Sequence, residues 1–223
     1  MSNRKEFWFP RIGESWYNAV PGLWESEYMN RVMLYLKGMY ATGTMYPDKK
    51  DIFKAFKMTP FDDVKVVILG QDPYFDGSAT GLAFANKDDS LRMSPSLEKI
   101  KECIEKENGM LHLDFDITLE SWANQGVLLL NTALTVEKYK PNSHLDVWKK
   151  FTATILSTLT IKKDPIHFCL WGKKAQEYEQ WLLTEAHYVH KFQHPAYAAR
   201  QNIDWNCNHF KKINSQLKKK IQW

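Results

Sequence analysis

The segment Gly70-Gln71-Asp72-Pro73-Tyr74 brings an amide, a carboxylate and a phenol together directly after a run of apolar residues. That run, residues 64–69, is interrupted only by Lys65 and is long enough for one strand buried on both faces. In an open parallel sheet, ligands bind outside the carboxyl ends of the strands. A carboxylate at that position, restricted by the proline after it, is a candidate catalytic group. An Asx turn that only closes the strand would explain the same residues.

Three further apolar runs also end in residues that could do chemistry. They are residues 127–130, followed by Asn131-Thr132; residues 166–170, followed by Trp171-Gly172; and residues 187–192, followed by Gln193-His194-Pro195. The last run is the most mixed, so we expect it near an edge of the sheet. Short apolar runs separated by helical stretches predict parallel strands with crossover helices. Because parallel strands end on one side of their sheet, Asp72, Asn131 and His194 should converge in one cleft.

The stretches between these runs carry the signals of helices. Residues 25–40 have apolar side chains at helical spacing, and Ser94-Pro95 is the pattern of an N-cap and first helical position. The helix after Ser94 should end near Asn108-Gly109, and others are predicted over residues 145–159, 174–184 and 209–220. The sequence therefore predicts an α/β three-layer sandwich, with a central four-stranded parallel sheet flanked by helices.

Composition limits the class of protein. The 223 residues are 44% hydrophobic and 25% charged without a Gly-, Ser- or Pro-rich linker, so we expect a single domain over residues 1–223. A formal net charge of +4 does not by itself indicate nucleic-acid binding. No apolar run reaches the roughly 18 residues that span a membrane, and the N-terminal residues lack a signal-peptide core.

Cysteine usage points to a reducing compartment. Cys103, Cys169 and Cys207 are odd in number, widely spaced and without a CxxC pair. This pattern argues against a disulfide framework and against a zinc site. We therefore expect a cytoplasmic protein, or a nuclear one in a eukaryote, with no metal.

Short motifs along most of the chain resemble those of family 1 uracil-DNA glycosylases. Gly70-Gln71-Asp72-Pro73-Tyr74, followed by Gly81-Leu82-Ala83-Phe84, resembles the water-activating segment of that family. Further matches in order and at near-constant spacing include Ser121-Trp122-Ala123, residues 125–132, Leu134-Thr135-Val136, Leu170-Trp171-Gly172, His194-Pro195 and Cys207-Asn208-His209-Phe210. Their number makes the signal specific.

The resemblance implies an activity and its partners. Such enzymes extrude a nucleotide from DNA into a pocket, hydrolyse the N-glycosidic bond of deoxyuridine, and leave an abasic site for base excision repair. DNA, single- or double-stranded, is the implied partner, no cofactor is required, and a monomer is expected. A proteinaceous glycosylase inhibitor or a replication factor would be a further partner.

The resemblance also assigns roles to individual residues. Asp72 and His194 are implied as catalytic, and Gln71, Tyr74, Phe84 and Asn131 as substrate-binding. Asp72 would stabilise the cationic sugar and orient or deprotonate the water. Neutral His194 would donate a hydrogen bond to the developing uracil oxyanion. Asn131 would donate to uracil O4 and accept from N3–H, a hydrogen-bonding pattern that cytosine reverses. Phe84 would stack on the base, and Tyr74 would fill the space that a 5-methyl group needs.

The rim that grips DNA departs from the family pattern. The implied DNA contacts are Ser94, Pro95, Ser96, Gly172, Lys173, Pro195, Tyr197 and Ala198. Phe75 stands where the family usually has histidine, and Ala198 stands where it has a leucine that wedges into the base stack. Alanine is too small for that task, so we expect Tyr197 to replace the wedge. These changes leave open a DNA-binding or replication factor with low or altered activity, and, as a weaker idea, a changed base preference.

Overall fold

The computed structural model describes residues 4–90 and 92–223, in which six strands form two sheets. The strands are β1 (Met45–Tyr46), β2 (Val66–Gly70), β3 (Val127–Asn131), β4 (Val136–Glu137), β5 (His167–Trp171) and β6 (Tyr188–Phe192). Four of them form a parallel sheet in the order β3-β2-β5-β6, while β1 pairs antiparallel with β4. The predicted fold class and all four parallel strands are confirmed, and β6 lies at an edge as expected.

The register of the parallel sheet aligns the carboxyl ends of its strands. Gly70 pairs with Asn131, and Trp171 pairs with Phe192. β2, β3 and β5 are buried along their whole length, which is typical of parallel strands covered by helices on both faces. The polar residues that follow these strands therefore leave the sheet side by side.

Eleven α-helices surround the sheets in the described part of the chain. They are α1 (Arg4–Ile12), α2 (Glu14–Ala19), α3 (Pro21–Trp24), α4 (Glu27–Ala41), α5 (Lys54–Met58), α6 (Pro95–Asn108), α7 (Glu120–Ala123), α8 (Leu145–Leu159), α9 (Lys173–Gln176), α10 (Pro195–Gln201) and α11 (His209–Gln216). Two short 3₁₀ helices cover Phe61–Asp63 and Glu177–Trp181. None of the described helices has the length and apolar character of a transmembrane segment.

Three predicted helices are confirmed as α4, α6 and α8. Ser94 caps α6 by accepting the Leu97 N–H at 3.4 Å, and Gly109 ends the helix in the left-handed conformation, at φ 72°. The predicted extents of two other helices are wrong. α9 gives way to a 3₁₀ helix, whose three-residue period brings Tyr178 and Trp181 onto one face.

The helix predicted over residues 209–220 also ends early, because the chain folds back after α11. The Asn214 side chain accepts the Ile221 N–H and donates to the Ile221 carbonyl, both at 2.8 Å. This turn buries Ile221 and Trp223, and Trp223 packs edge-on against Trp122. The chain therefore leaves the helix after Gln216 and buries Ile221 and Trp223 instead of forming the last predicted turn.

Candidate active site

A pocket of about 450 Å³ opens at the carboxyl ends of the parallel strands. Asp72, Asn131 and His194 all line it, so the structure brings together the three residues expected to converge. Other predicted site residues that line the pocket are Gln71, Tyr74, Phe84, Ser96, Gly172 and Lys173. The site thus combines one carboxylate, one amide and one imidazole in a single cleft.

Asp72 is held in place by donors on both carboxylate oxygens. The Asn142 backbone N–H donates to Oδ2 at 2.6 Å, and Gln71 Nε2 donates to Oδ1 at 3.3 Å. Gln71 Nε2 also donates to Asn142 Oδ1 at 2.6 Å, which ties the two supporting residues together. Burial raises the pKa of Asp72, while the hydrogen bonds from Asn142 and Gln71 oppose that shift. The carboxylate is therefore oriented and partly desolvated, as a group that acts on a developing cation should be.

Asn131 lies against the backbone of Gly70, its partner across β2 and β3. A Cβ atom on Gly70 would overlap Asn131 Oδ1 and would lie 3.0 Å from Ala83 Cβ. Gly70 does not have a positive φ, so it is space and not backbone conformation that requires a glycine here. The missing side chain at Gly70 is what lets the Asn131 amide occupy its place in the pocket.

His194 is held in one neutral tautomer by the start of α10. Its Nδ1 accepts the Ala196 backbone N–H at 3.1 Å, so the proton of the neutral ring is on Nε2. Burial, with a smaller contribution from Arg200, lowers the pKa of His194 to about 4. At neutral pH the ring is thus uncharged, with its proton on Nε2, and it lines the pocket.

Gly172 makes room for His194. Its φ is +94°, and a Cβ atom would lie 2.9 Å from His194 Cβ and 3.2 Å from His194 Cδ2. Both the left-handed backbone and the close approach require glycine here. The DNA contact at Gly172 stays a prediction, while its missing side chain leaves the space that His194 occupies.

Aromatic side chains form one wall of the pocket. The Phe84 ring lies 5.5 Å from the Trp171 ring and 5.6 Å from the His194 ring, measured between centroids. Phe84 has a φ of 66°, a strained conformation for a bulky residue that is common at functional sites. Tyr74 Oη contacts Ser94 Oγ at 2.6 Å and donates to the Phe84 carbonyl at 3.3 Å. Burial raises the pKa of Tyr74 to about 12, so the phenol stays protonated.

The mouth of the pocket is basic. Lys173, Lys174 and Arg200 line it together with Phe75, which is 41% exposed. Tyr197 is 47% exposed on the first turn of α10, one helical turn before Arg200. Cations beside an exposed aromatic ring are the side chains that contact phosphates and bases of a single strand.

Two of the predicted DNA contacts are corrected by the structure. Pro195 is buried as the first residue of α10, and Ala198 is completely buried on the inner face of that helix. Neither side chain has surface to offer to DNA, because α10 packs against α6 along that face. Pro95 is exposed, whereas Ser94 is half-buried and bonds to Tyr74. Ser96 is buried too, but it lines the pocket.

Some residues of the site were missed in the sequence. Asn142 holds Asp72 through its backbone N–H, which no side-chain pattern reveals. Pro141, Lys174 and Arg200 also line the pocket. Arg200 could have been found, because His194-Pro195 carries the signal of an N-cap followed by proline at the first helical position, and a helix there brings Arg200 beside Tyr197.

Fold and pocket together define an α/β protein with a cleft at the carboxyl ends of its parallel strands, lined by an oriented carboxylate, an amide and a neutral imidazole. The sequence model of the uracil DNA glycosylase superfamily matches residues 56–218. A uracil-DNA glycosylase of Fusobacterium nucleatum is 37% identical over 219 residues, covering 96% of this chain and 96% of the relative. The chain therefore belongs to the uracil-DNA glycosylase superfamily, which confirms the resemblance seen in its motifs.

Solved structures agree with this assignment. The crystal structure of the mimivirus uracil-DNA glycosylase superposes with a TM-score of 0.86 at 26% identity, covering 96% of this chain and 88% of that one. A variant of the mimivirus protein in complex with UGI superposes with a TM-score of 0.84 at 26% identity, covering 93% and 86% of the two chains.

Proposed function

We propose that this protein is a monofunctional uracil-DNA glycosylase, which hydrolyses the N-glycosidic bond of flipped-out deoxyuridine in DNA. The observation that carries the proposal is the meeting of Asp72, Asn131 and His194 in one pocket of a chain that belongs to this superfamily. Free uracil and an abasic site are the products, as required for the first step of base excision repair. Nothing in the site favours a non-catalytic DNA-binding module, because such a module has no need of an oriented carboxylate.

Asp72 acts on the sugar side of the bond. Departure of uracil leaves positive charge on the sugar, and a carboxylate held by Asn142 and Gln71 stabilises that charge without having to reorganise. The same carboxylate orients the attacking water or takes its proton. Burial strengthens both effects, because it removes competing solvent from the carboxylate.

His194 acts on the departing base. Negative charge develops on uracil as the bond breaks, and the Nε2–H of a neutral imidazole donates a hydrogen bond to it. The Ala196 N–H on Nδ1 prevents the other tautomer. With a pKa of about 4, the ring stays neutral through the physiological range and serves as a hydrogen-bond donor rather than as a general acid.

Base choice rests on Asn131 and Tyr74. The Asn131 amide can donate to uracil O4 and accept from N3–H, a pattern that cytosine reverses. The Tyr74 hydroxyl is hydrogen-bonded to Ser94 and to the Phe84 carbonyl, so the ring cannot easily move aside to make room for a 5-methyl group. Uracil is therefore accepted, cytosine is rejected by hydrogen bonding, and thymine is rejected by shape.

DNA is the partner, and a proteinaceous inhibitor of the UGI kind is proposed as another, on the basis of the mimivirus complex. A monomer is proposed, in the cytoplasm or in the nucleus of a eukaryote, and the three free cysteines support a reducing compartment of that kind. Light scattering after size-exclusion chromatography tests the oligomeric state. A defined dimer at micromolar concentration would contradict the monomer.

The activity is tested by incubating purified protein in EDTA with single- and double-stranded oligonucleotides that contain one uracil. Free uracil and an abasic site should form without strand cleavage, and borohydride should trap no covalent adduct through Lys173 or Lys174. Asp72→Asn and His194→Leu should each lower the rate by about 10²–10³-fold or more. Asp164→Asn is the matched control, because Asp164 is exposed and precedes β5, at the opposite end of the sheet. Wild-type protein that releases no uracil from either substrate would refute the proposal.

A further inference from the structure

A second cluster of chemically competent side chains lies outside the pocket. Cys103 and Glu107, one turn apart on α6, meet Cys207, which lies just before α11. The two Sγ atoms are 3.6 Å apart, and Glu107 Oε1 lies 3.4 Å from Cys103 Sγ and 3.9 Å from Cys207 Sγ. Cys103 and Cys207 are 1% and 7% exposed, and Glu107 is half-buried. None of the three lines the candidate active site.

These separations match the edges of a tetrahedron around zinc. Zn²⁺ binds thiolate at about 2.3 Å and carboxylate at about 2.0–2.2 Å, so a tetrahedral site has ligand sulfurs about 3.8 Å apart and sulfur and oxygen about 3.5 Å apart. The sulfur pair of this cluster and both sulfur–oxygen pairs lie within a few tenths of an ångström of those values. A disulfide would need the two sulfurs to approach to about 2.05 Å.

The surroundings of the cluster suit a metal ion as well. Glu107 Oε2 accepts the Lys211 backbone N–H at 2.6 Å, an outer contact that orients the carboxylate and leaves Oε1 toward the sulfurs. The cluster borders a small cleft lined by Lys106, Asn206 and Asn208, from which water or an amide oxygen can supply a fourth ligand. Two thiolates and one carboxylate around a divalent cation leave one negative charge, at the edge of a cleft that is open to solvent.

We propose that Cys103, Glu107 and Cys207 form a binding site for one Zn²⁺ ion. The two thiol protons are released as the two Zn–S bonds form, so one metal displaces two protons. The prediction against a zinc site rested on the wide spacing of the cysteines in the sequence. The fold nevertheless brings Cys103 and Cys207 into contact. Two cysteines brought together in a protein of a reducing compartment are more typical of metal binding than of a structural disulfide.

The ion would link α6 to residues 205–209, which contact the residues of the pocket wall. Near Cys207, Trp205 Nε1 donates to the Gln193 carbonyl at 2.8 Å, and Trp171 Nε1 donates to His209 Nδ1 at 3.1 Å. Gln193 precedes His194, and the Trp171 ring packs against Phe84 in a tilted arrangement. The site is therefore structural, and the effect expected from zinc is on stability rather than on the chemistry of uracil release.

The test uses the full, untagged chain, reduced, stripped with a chelator and desalted. It should bind one equivalent of Zn²⁺ and release two protons, and Co²⁺ should produce thiolate charge-transfer absorption together with the d–d bands of a tetrahedral ion. Zinc at about 100 times its Kd should raise the melting temperature by about 5–10 °C. Cys207→Ser and Glu107→Gln should weaken binding by more than about 100-fold, the upper limit for outer-shell partners. Cys169→Ala is the matched control, because Cys169 is buried in β5 and should leave binding unchanged.

Reduced wild-type protein that binds neither Zn²⁺ nor Co²⁺ in stoichiometric amount would overturn the proposal. The same holds if Cys207→Ser binds zinc as tightly as wild type, or if Cys103 and Cys207 form a disulfide in air while zinc is present. Glu107→Gln keeps both thiols, so it tests the carboxylate even if a cysteine variant folds poorly. Uracil release in EDTA is a separate measurement, so failure of the zinc site and failure of the glycosylase proposal can be told apart.

Discussion

Replacing Gly70 by alanine should damage catalysis from a position that has no functional group. The new Cβ would overlap Asn131 Oδ1 and would lie 3.0 Å from Ala83 Cβ. The severe overlap is with Asn131, and Ala83 is fully buried, so the Asn131 amide is the group that must move, by on the order of 1 Å. A misplacement of that size costs about 10²-fold in rate, or about 2.7 kcal/mol of transition-state stabilisation.

The assay is single-turnover uracil release at saturating enzyme, with circular dichroism to confirm the fold. Overpacking should also lower stability by about 1–3 kcal/mol, so rates are measured well below the melting temperature. Gly38→Ala is the matched control. Nothing lies within 4 Å of a Cβ atom built there, in the last turn of α4, so its uracil release should equal that of wild type.

A double-mutant cycle identifies the residue through which Gly70→Ala acts. If the alanine works by displacing Asn131, then Gly70→Ala combined with Asn131→Ala should be no slower than Asn131→Ala alone. If the losses in rate from the two substitutions were fully additive, Gly70→Ala would not act through Asn131. A rate for Gly70→Ala within a few-fold of the wild-type rate would likewise refute the idea that this glycine makes room for the amide.

Other predictions concern base choice, the rim and pH. Asn131→Asp should admit cytosine weakly, and Tyr74→Ala should admit thymine, both measured by release from single-stranded oligonucleotides; wild-type activity on thymine equal to that on uracil would contradict the assignments. Tyr197→Ala should lower the duplex rate more than the single-strand rate, because we expect the exposed ring to take the place of the wedge, with roughly 1–3 kcal/mol of stacking. Equal losses on the two substrates would exclude that role. Burial is the main cause of low pKa values at four histidines, which are His167 at about 4, His190 at about 3, His194 at about 4 and His209 at about 4. Below about pH 6.5 these histidines bind protons in the unfolded chain but stay neutral in the folded chain. The free energy of unfolding should therefore fall as the pH drops from about 6.5 toward 4. A melting temperature that is constant between pH 7 and 5 would contradict this prediction.

The sequence determined the sheet and the three central residues of the pocket. Each parallel strand is a short apolar run with a polar residue just beyond it, and parallel strands must end on the same side, so Asp72, Asn131 and His194 had to converge. The cap of α6 was equally visible, because Ser94-Pro95 acts on the backbone within three residues of itself. Signals of this kind are local, and local geometry is the same wherever the element lies in the fold.

The tertiary structure alone decided which groups support those residues and which positions face solvent. The Asn142 N–H reaches Asp72 across 70 residues of sequence, and Cys207 reaches Cys103 across 104. Ala198 occupies the position of a DNA wedge in the motif, yet α10 turns it into the core and leaves Tyr197 outside. Contacts of this kind depend on the path of the whole chain and on how helices pack, and no spacing along the sequence encodes them.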